Sequence, residues 1–184
     1  MPDLSASLKG MDLGRLKIIA EFWGIEIEEG KKINSISKDL RAKLLESNRL
    51  KEGIDSLPEE PQHALSDLAA HKGRIPWALF TKRYGEVREM GPARRDREKP
   101  YLDENATPSE SLWYRVLLDK TFFDTAAGPE EFAYIPEDLL KLLPLTGYPA
   151  ARQFGRPASK SECSRIIPSN DWILDDLCTV LAGL

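Results

Sequence analysis

Two stretches near the N-terminus carry apolar residues at the spacing of an amphipathic helix. Over residues 12–23 an apolar side chain recurs every three or four positions, and Gly24 follows where a helix commonly ends. Over residues 35–50 the repeat is every fourth position, with a polar opposite face. The repeated positions are Leu13, Leu16, Ile19, Ala20 and Trp23, then Ile36, Leu40 and Leu44. Residues 1–55 are therefore predicted to form a helix pair whose stripes pack on each other and on the next segment.

Short helical and strand-like patterns alternate along residues 56–145. Pro61 is suited to the first position of a helix, because its missing N–H is an unpaired donor there anyway, and Gly73 ends that helix. Residues 74–76 are long enough only for a short bridging strand. Residues 77–84 then predict another short helix, which a glycine closes.

Residues 107–110, Thr-Pro-Ser-Glu, are the clearest helix start in the sequence. They combine a hydroxyl cap, a proline at the first position and a glutamate placed to close a capping box. We expect this helix to reach about Lys120. The aromatic and β-branched runs at 122–125 and 131–135 predict a hairpin with a longer turn. A last short helix is expected over residues 137–143.

The order of these elements from residue 56 onward is helix, strand, helix, long connection, helix, strand, turn, strand. This is the element order of a winged helix. The predicted fold is therefore α+β and mostly α, with an N-terminal helix pair followed by a winged-helix domain at residues 56–145. Residues 146–168 are rich in Gly, Pro, Ser and Arg and predict a linker, and residues 172–184 predict a helix that starts a further helical region.

The charge balance, the cysteine and histidine counts and the lack of long apolar stretches exclude several classes of protein. The 184 residues include 26 basic and 30 acidic side chains, and a net charge of −4 gives no reason to expect a nucleic-acid binder. Cys163 and Cys178 form no CxxC pair and the chain has only two histidines, which excludes a zinc finger or a disulfide framework. We find no signal peptide and no stretch of roughly 18 apolar residues. A cytoplasmic protein with no membrane partner is expected.

The average charge conceals an uneven distribution. Residues 74–100 carry a net charge of +4 and residues 101–145 carry −6. The basic segment, residues 94–99, lies on a predicted connection of about 20 residues, and loops of that length are usually functional or disordered. Its side chains predict contacts with DNA phosphates. The alternative is a solvated loop whose arginines pair with acidic neighbours. The proposed nucleic-acid contacts are Arg94, Arg95, Arg97, Lys99, Arg88 and Tyr101.

Two features argue against DNA binding by the usual winged-helix route. The third helix normally enters the major groove, yet here it is neutral, and the predicted wing carries Glu130 and Glu131. DNA would then have to meet the basic segment or the N-terminal helix pair; otherwise the domain docks on a protein. A single basic face would require the basic segment to join Arg15, Lys17, Lys31 and Lys32.

The chain carries no motif for catalysis or a cofactor. We find no GxxxxGK[ST], GxGxxG, HExxH or GxSxG sequence, so no enzyme activity and no cofactor are expected. Tyr84 and Tyr101 flank the basic segment and are the candidates for base stacking. The other aromatic residues of the domain are expected in its core: Trp77, Phe80, Trp113, Tyr114, Phe122, Phe123, Phe132 and Tyr134.

Several motifs carry a resemblance to a known group: GRIPW at 73–77, RYGEVR at 83–88, RRDRE at 94–98, LWYR at 112–115 and EFAYIP at 131–136. With them the chain resembles the N-terminal part of bacterial helicase-associated proteins, whose later portion is similar to the N-terminal domain of xeroderma pigmentosum group B type helicases. The resemblance implies a DNA-transaction context. It also implies a longer protein, of which this chain is an N-terminal fragment. The helicase ATPase motifs are absent.

The N-terminal helix pair has a resemblance of its own. Residues 13–45 are weakly similar to SAP-type helix-extended-helix modules, which bind DNA. The expected function is a non-catalytic DNA-associated module in repair or transcription. The alternative is a winged-helix protein–protein interaction domain of a larger assembly, whose partner is another protein or the missing C-terminal portion.

Overall fold

The computed structural model describes residues 1–28, 30–126 and 128–143. This part of the chain is α+β and mostly helical, with a three-stranded antiparallel sheet, as expected from the sequence. The predicted linker at 146–168 and helix at 172–184 lie outside the described residues, as do both cysteines.

Four helices occupy the N-terminal part of the chain. They are α1 (Leu4–Leu8), α2 (Leu13–Phe22), α3 (Ile33–Leu44) and α4 (Ser47–Asp55). The prediction of one helix over 35–50 is wrong, because α3 ends at Leu44 and a new helix begins three residues later. A continued stripe would bury Ser47 or Asn48; the chain turns instead, and Leu50 becomes the next buried residue. Helix α1 was not predicted from the sequence.

The next elements lead from the first long helix of the predicted domain to the basic segment. They are α5 (Glu59–Ala70), β1 (Arg74–Pro76), α6 (Trp77–Tyr84), α7 (Pro92–Glu98) and a 3-10 turn at Pro100–Leu102. The short strand and the helix after it are confirmed, and Gly85 follows α6 with a φ of 85°. Pro61 lies in the first turn of α5 rather than at its first position.

The last elements are α8 (Pro108–Trp113), β2 (Asp119–Thr125), β3 (Gly128–Tyr134) and α9 (Glu137–Leu140). The capping box that starts α8 is confirmed. Extension of this helix to about Lys120 is wrong, because the chain closes it with a left-handed Val116 at φ 57°. The Leu117 N–H donates to the Leu112 oxygen at 3.1 Å, the six-to-one bond of a Schellman motif.

Strand β3 lies at the centre of the sheet, whose order is β1-β3-β2. Ile75 pairs with Ala133 on one side of it, and Lys120 pairs with Ala133 on the other. The hairpin of β2 and β3 is tighter than predicted, because Thr125 pairs with Gly128 and leaves only two residues for the turn. The wing of the predicted winged helix is therefore a tight hairpin without a long loop.

One hydrophobic core joins the two parts of the chain that the sequence analysis divided at residues 55 and 56. Leu4 and Leu16 from the N-terminal helices share it with Phe80 of α6 and Ile135 after β3. A polar contact crosses the same boundary, since the Trp23 Nε1–H donates to the oxygen of residue 115 at 3.0 Å. The N-terminal helices therefore form part of the packing of the predicted domain.

Replacing Gly53 in α4 by alanine is expected to lower the free energy of unfolding by about 1–2 kcal/mol, although alanine favours helices. A Cβ at Gly53 would lie 2.2 Å from Cζ3 of Trp23, whose ring the hydrogen bond of its Nε1–H holds in place. Urea unfolding followed by circular dichroism measures the change. Lys51→Ala, at an exposed position of the same helix, should change stability by less than about 0.5 kcal/mol. A more stable Gly53→Ala variant contradicts the prediction.

Candidate nucleic-acid interface

The basic segment is helical, which corrects the prediction of a loop. Gly91 caps α7 and Pro92 occupies its first position, where a proline needs no hydrogen-bond partner. Lys99 ends the helix in the left-handed conformation at φ 46°, and its N–H donates to the Arg95 oxygen at 2.8 Å. A helix sends neighbouring side chains in different directions, so the four cations do not share one surface.

Arg95 points into the protein, and its side chain is only 6% exposed. Its Nη1 and Nη2 donate to the two carboxylate oxygens of Asp12 at 2.8 and 2.7 Å. Its Nε and Nη2 also donate to one oxygen of Asp96 at 2.9 and 2.8 Å. Asp12 is the N-cap of α2, so the pair fastens α7 to the start of that helix. The phosphate contact predicted for Arg95 is wrong, because the guanidinium is enclosed.

Gly14 on α2 leaves the space that the Arg95 guanidinium occupies. A Cβ at this position would lie 2.4 Å from Nη2 of Arg95 and 2.9 Å from an Asp96 oxygen. The absence of a side chain at Gly14 therefore allows the bidentate pair to form.

The Arg95 pair makes the stability of the protein depend on pH in the acid range. Hydrogen bonding to Arg95 lowers the pKa of Asp12 from about 3.8 to about 2. A depressed pKa stabilises the folded state above pH 4, and this contribution is lost as the pH falls through 2. Because Asp12 is partly exposed, solvent screening limits it to about 1 kcal/mol.

We expect the urea midpoint of the wild-type protein to fall more steeply between pH 4 and pH 2 than that of Asp12→Asn. Glu52→Gln, at an exposed carboxylate of α4, serves as the matched control. Identical pH profiles for the wild type and Asp12→Asn contradict the assignment.

Arg88 belongs to a second ion cluster, but its side chain is 44% exposed, so its predicted phosphate contact stays a prediction. Its Nε and Nη2 donate to the two oxygens of Glu110 at 2.8 Å, and its Nη1 donates to Asp103 at 2.9 Å. The Nη2 also donates to the Pro100 oxygen at 3.2 Å. These four hydrogen bonds of the guanidinium stabilise the connection between α6 and α8. The acidic partners raise the pKa of Arg88 further above its ordinary value.

The remaining cations of the basic segment do reach solvent. The side chains of Arg94 and Arg97 are 62% and 75% exposed, and Lys99 is exposed at the end of α7. Glu98 contacts both arginines: Arg94 Nε donates to it at 2.9 Å, and Arg97 Nη2 lies 3.6 Å away. Hydrogen bonding to Arg94 lowers the pKa of Glu98. The exposed surface of the basic segment is weakly positive, since it carries three cations, Arg94, Arg97 and Lys99, and two carboxylates, Asp96 and Glu98.

The two tyrosines proposed for base stacking are packed within the protein. The Tyr101 ring lies 6.0 Å from that of Phe22 and 5.5 Å from that of Tyr114. Tyr84 lies 4.9 Å from the Phe80 ring, and its hydroxyl donates to Asp67 at 2.9 Å. Burial raises the pKa of both tyrosines. Each tyrosine ring already contacts other aromatic rings of the protein, which limits the surface that a nucleic-acid base could stack on.

Arg15, Lys17, Lys31 and Lys32 do not all join the basic segment in one exposed basic face. Arg15 stacks on a tryptophan ring between α2 and α8, and burial lowers its pKa. Lys31 lies 3.1 Å from both Glu28 and Asp39. Lys17 and Lys32 are exposed.

Side chains from α2 and the residue after it contact α8, the third helix of the predicted domain, and the residue that follows its C-cap. Arg15 of α2 lies 4.4 Å above the Trp113 ring, and Arg115 lies 4.1 Å above the Phe22 ring. Trp23 adds its hydrogen bond to the backbone of Arg115. Every residue of α8 is described, and none is exposed. A helix without an exposed side chain cannot read a DNA groove.

The β2–β3 hairpin presents an apolar and acidic surface that the sequence analysis missed. Phe122, predicted in the core, is 67% exposed, so that prediction is wrong. Asp124 and Glu130 are exposed near it, and Glu131 pairs directly with Phe122 across the strands. The signal was present in the sequence, because consecutive residues of a strand point to opposite faces and one core cannot bury both Phe122 and Phe123.

The described residues hold no group of three or more His, Cys, Asp or Glu side chains that could bind a metal ion. No helix among them is both long and apolar enough to cross a membrane. Comparison with protein-family models, with curated proteins and with solved structures finds no match to the chain.

Proposed function

We propose that residues 56–143 form a winged-helix module. The order of α5, β1, α6, α8 and the β2–β3 hairpin supports this assignment, as does the central position of β3 in the sheet. The insertion of α7 between the second and third helices of the motif is a feature of this chain. The N-terminal helices then act as an extension that packs on the module.

We further propose that this module is non-catalytic and binds another protein. The observation that carries the proposal is that α8, the helix that would read DNA, has no exposed residue: three of its residues are buried and three are half-buried. The enclosed ion pair of Arg95 with Asp12, and the pairing of Arg88 with the buried Glu110, support the same conclusion. The hairpin offers the partner an exposed aromatic ring, a residue type enriched in protein contacts, and its neighbouring carboxylates would repel phosphates.

Site-specific photo-crosslinking tests this proposal. A benzoylphenylalanine at position 122 is expected to form one discrete protein adduct in cells that produce the protein. The same group at Leu102, also exposed but in the 3-10 turn, is the matched control and should form none. Adding Asp124→Lys should abolish the adduct if the hairpin surface is recognised. Equal adducts at both positions, or adducts only to nucleic acid, contradict the proposal.

Phosphate binding by α7 is the second candidate function. The observation that favours it is the exposure of Arg94, Arg97 and Lys99 along one short helix. Together with the resemblance to bacterial helicase-associated proteins, it would place the chain beside DNA in repair or transcription. Such contacts would add affinity without sequence preference.

Fluorescence anisotropy with duplex and single-stranded DNA tests this second function. If α7 binds phosphates, the variant Arg94→Gln/Arg97→Gln/Lys99→Gln loses most of the affinity measured at 50 mM salt, and the salt dependence becomes shallower. This variant spares the enclosed Arg95, and a circular dichroism spectrum like that of the wild type shows that a loss of binding is not due to unfolding. Lys38→Gln/Lys43→Gln/Lys51→Gln, at sites away from α7, is the control. A dissociation constant weaker than about 10⁻⁴ M at 50 mM salt rejects the function.

A further inference from the structure

Among the described residues, strand β2 is an edge of the sheet, and no described strand pairs with its outer side beside the exposed Phe122. The sheet order places β3 on one side of β2 only. An edge strand offers unpaired backbone groups to an extended segment of another chain, which can add to the sheet as a further strand. Whether β2 offers such groups depends on which of its residues point away from β3.

The register of the hairpin determines these directions. Thr125 and Gly128 flank a two-residue turn, and residues in that position exchange both ladder hydrogen bonds. Hydrogen-bonded and non-hydrogen-bonded pairs alternate from there, so Asp124 and Pro129 form a non-hydrogen-bonded pair. Pro129 agrees with this assignment, because it has no N–H to donate. The backbone groups of Asp124, and of Phe122 two residues earlier, therefore point outward.

The backbone groups of Lys120 also point outward, but its N–H and its side chain already have partners. Its N–H donates to Asp119 Oδ1 at 2.9 Å, which is consistent with an amide that β3 does not use. Its Nζ contacts Glu89 and lies 3.4 Å from Glu131. In the part of the chain that the structure describes, the outward groups of Phe122 and Asp124 have no backbone partner.

We propose that the outer edge of β2 binds an extended segment of a partner protein, which pairs with Phe122 and Asp124 as an antiparallel fourth strand. This proposal rests on the proposed function and specifies how the partner binds. Side chains of Lys120, Phe122 and Asp124 share one face of β2, because they are two residues apart. An antiparallel segment would place an apolar residue opposite Phe122 and, two residues earlier, a lysine or arginine opposite Asp124.

A basic segment suits this edge better than a second copy of the chain. Asp124 is exposed on the same face as Phe122, and the nearby Lys120 already contacts two carboxylates, Glu89 and Glu131, which leaves this face negative. The outward-facing stretch from Phe122 to Asp124 spans only about 10 Å. Pairing two such edges would bury far less than the roughly 1,200 Å² of a stable interface. A flexible partner segment can bind the same edge and continue over the face of the hairpin.

Amide hydrogen exchange measured by NMR on the full chain tests the proposal. In the free protein, the Phe122 and Asp124 amides should exchange with solvent much faster than those of Thr121 and Phe123, which bond to β3. The probe is the capped peptide Thr-Lys-Thr-Ile-Thr-Thr. At saturating concentration it should slow exchange at Phe122 and Asp124 at least about tenfold, as expected for newly formed backbone hydrogen bonds.

Three changes separate strand addition from side-chain docking. Methylation of the isoleucine nitrogen of the peptide should abolish protection, because it removes the donor opposite Phe122. Phe122→Ala should weaken peptide binding about tenfold. Leu102→Ala, the control at another exposed apolar residue, should leave binding unchanged.

The proposal is overturned if the two amides are protected in the free chain, if the peptide does not bind at 5 mM, or if methylation has no effect. Protection that disappears on dilution of the free chain would identify a second copy as the occupant and also overturns it. A protein adduct at position 122 with unprotected amides would retain the proposed function and reject strand addition alone.

Discussion

Replacing Glu110 by alanine is expected to lower the free energy of unfolding by about 3 kcal/mol. The carboxylate is only 1% exposed and accepts from the backbone N–H, Nε and Nη2 of Arg88 at 2.8–2.9 Å. It also accepts from the Thr107 N–H at 3.4 Å, which completes the capping box of α8. Alanine removes charge-assisted hydrogen bonds and a helix cap together. Urea unfolding at pH 7 gives the change.

Two further variants separate the contribution of the Glu110 negative charge from the general effect of replacing a glutamate. Glu110→Gln keeps an acceptor for the capping box but loses the negative charge, so its loss of stability should be intermediate. Glu104→Ala, at an exposed glutamate of the same connection, should change the free energy by less than about 0.5 kcal/mol. A loss below about 1 kcal/mol for Glu110→Ala contradicts a structural role for the Arg88–Glu110 pair.

Local sequence signals predicted the elements that depend on nearby residues. The capping box at Thr107 and the short strand at Arg74 were found because caps and turns use contacts within a few positions. The end of α8 could not be found in this way. A β-branched Val116 in the left-handed conformation contradicts local preference, and its complete burial shows that tertiary packing determines the backbone there.

The sequence predicted which residues make up the basic segment, but it did not predict where their side chains point or which carboxylates they contact. The basic segment is where the sequence analysis placed it, and Arg94, Arg97 and Lys99 are exposed as expected of a binding surface. The carboxylate that binds Arg95 lies 83 residues earlier in the chain, at the N-cap of α2. No local pattern links residues so far apart, so a count of charges could not distinguish a free arginine from a paired one.

Replacing Arg95 by alanine is expected to lower the free energy of unfolding by about 2–3 kcal/mol, whereas Arg94→Ala on the same helix should cost less than about 0.5 kcal/mol. Arg95 is enclosed, and its removal leaves Asp12 and Asp96 close together without a cation. Arg94 makes only an exposed contact with Glu98. Urea unfolding of the two variants provides the comparison. Equal losses would contradict the distinction between a structural and a surface arginine.

A double-mutant cycle with Gly14 tests the same contact from the other side. Gly14→Ala alone should destabilise the protein by about 1–2 kcal/mol, because its Cβ would lie 2.4 Å from the Arg95 guanidinium. Once Arg95 is alanine, that space is empty and the second substitution should cost almost nothing. The two losses are then non-additive, as expected for residues in direct contact. Additive losses would mean that Gly14 acts through the backbone of α2 and not by leaving room for Arg95.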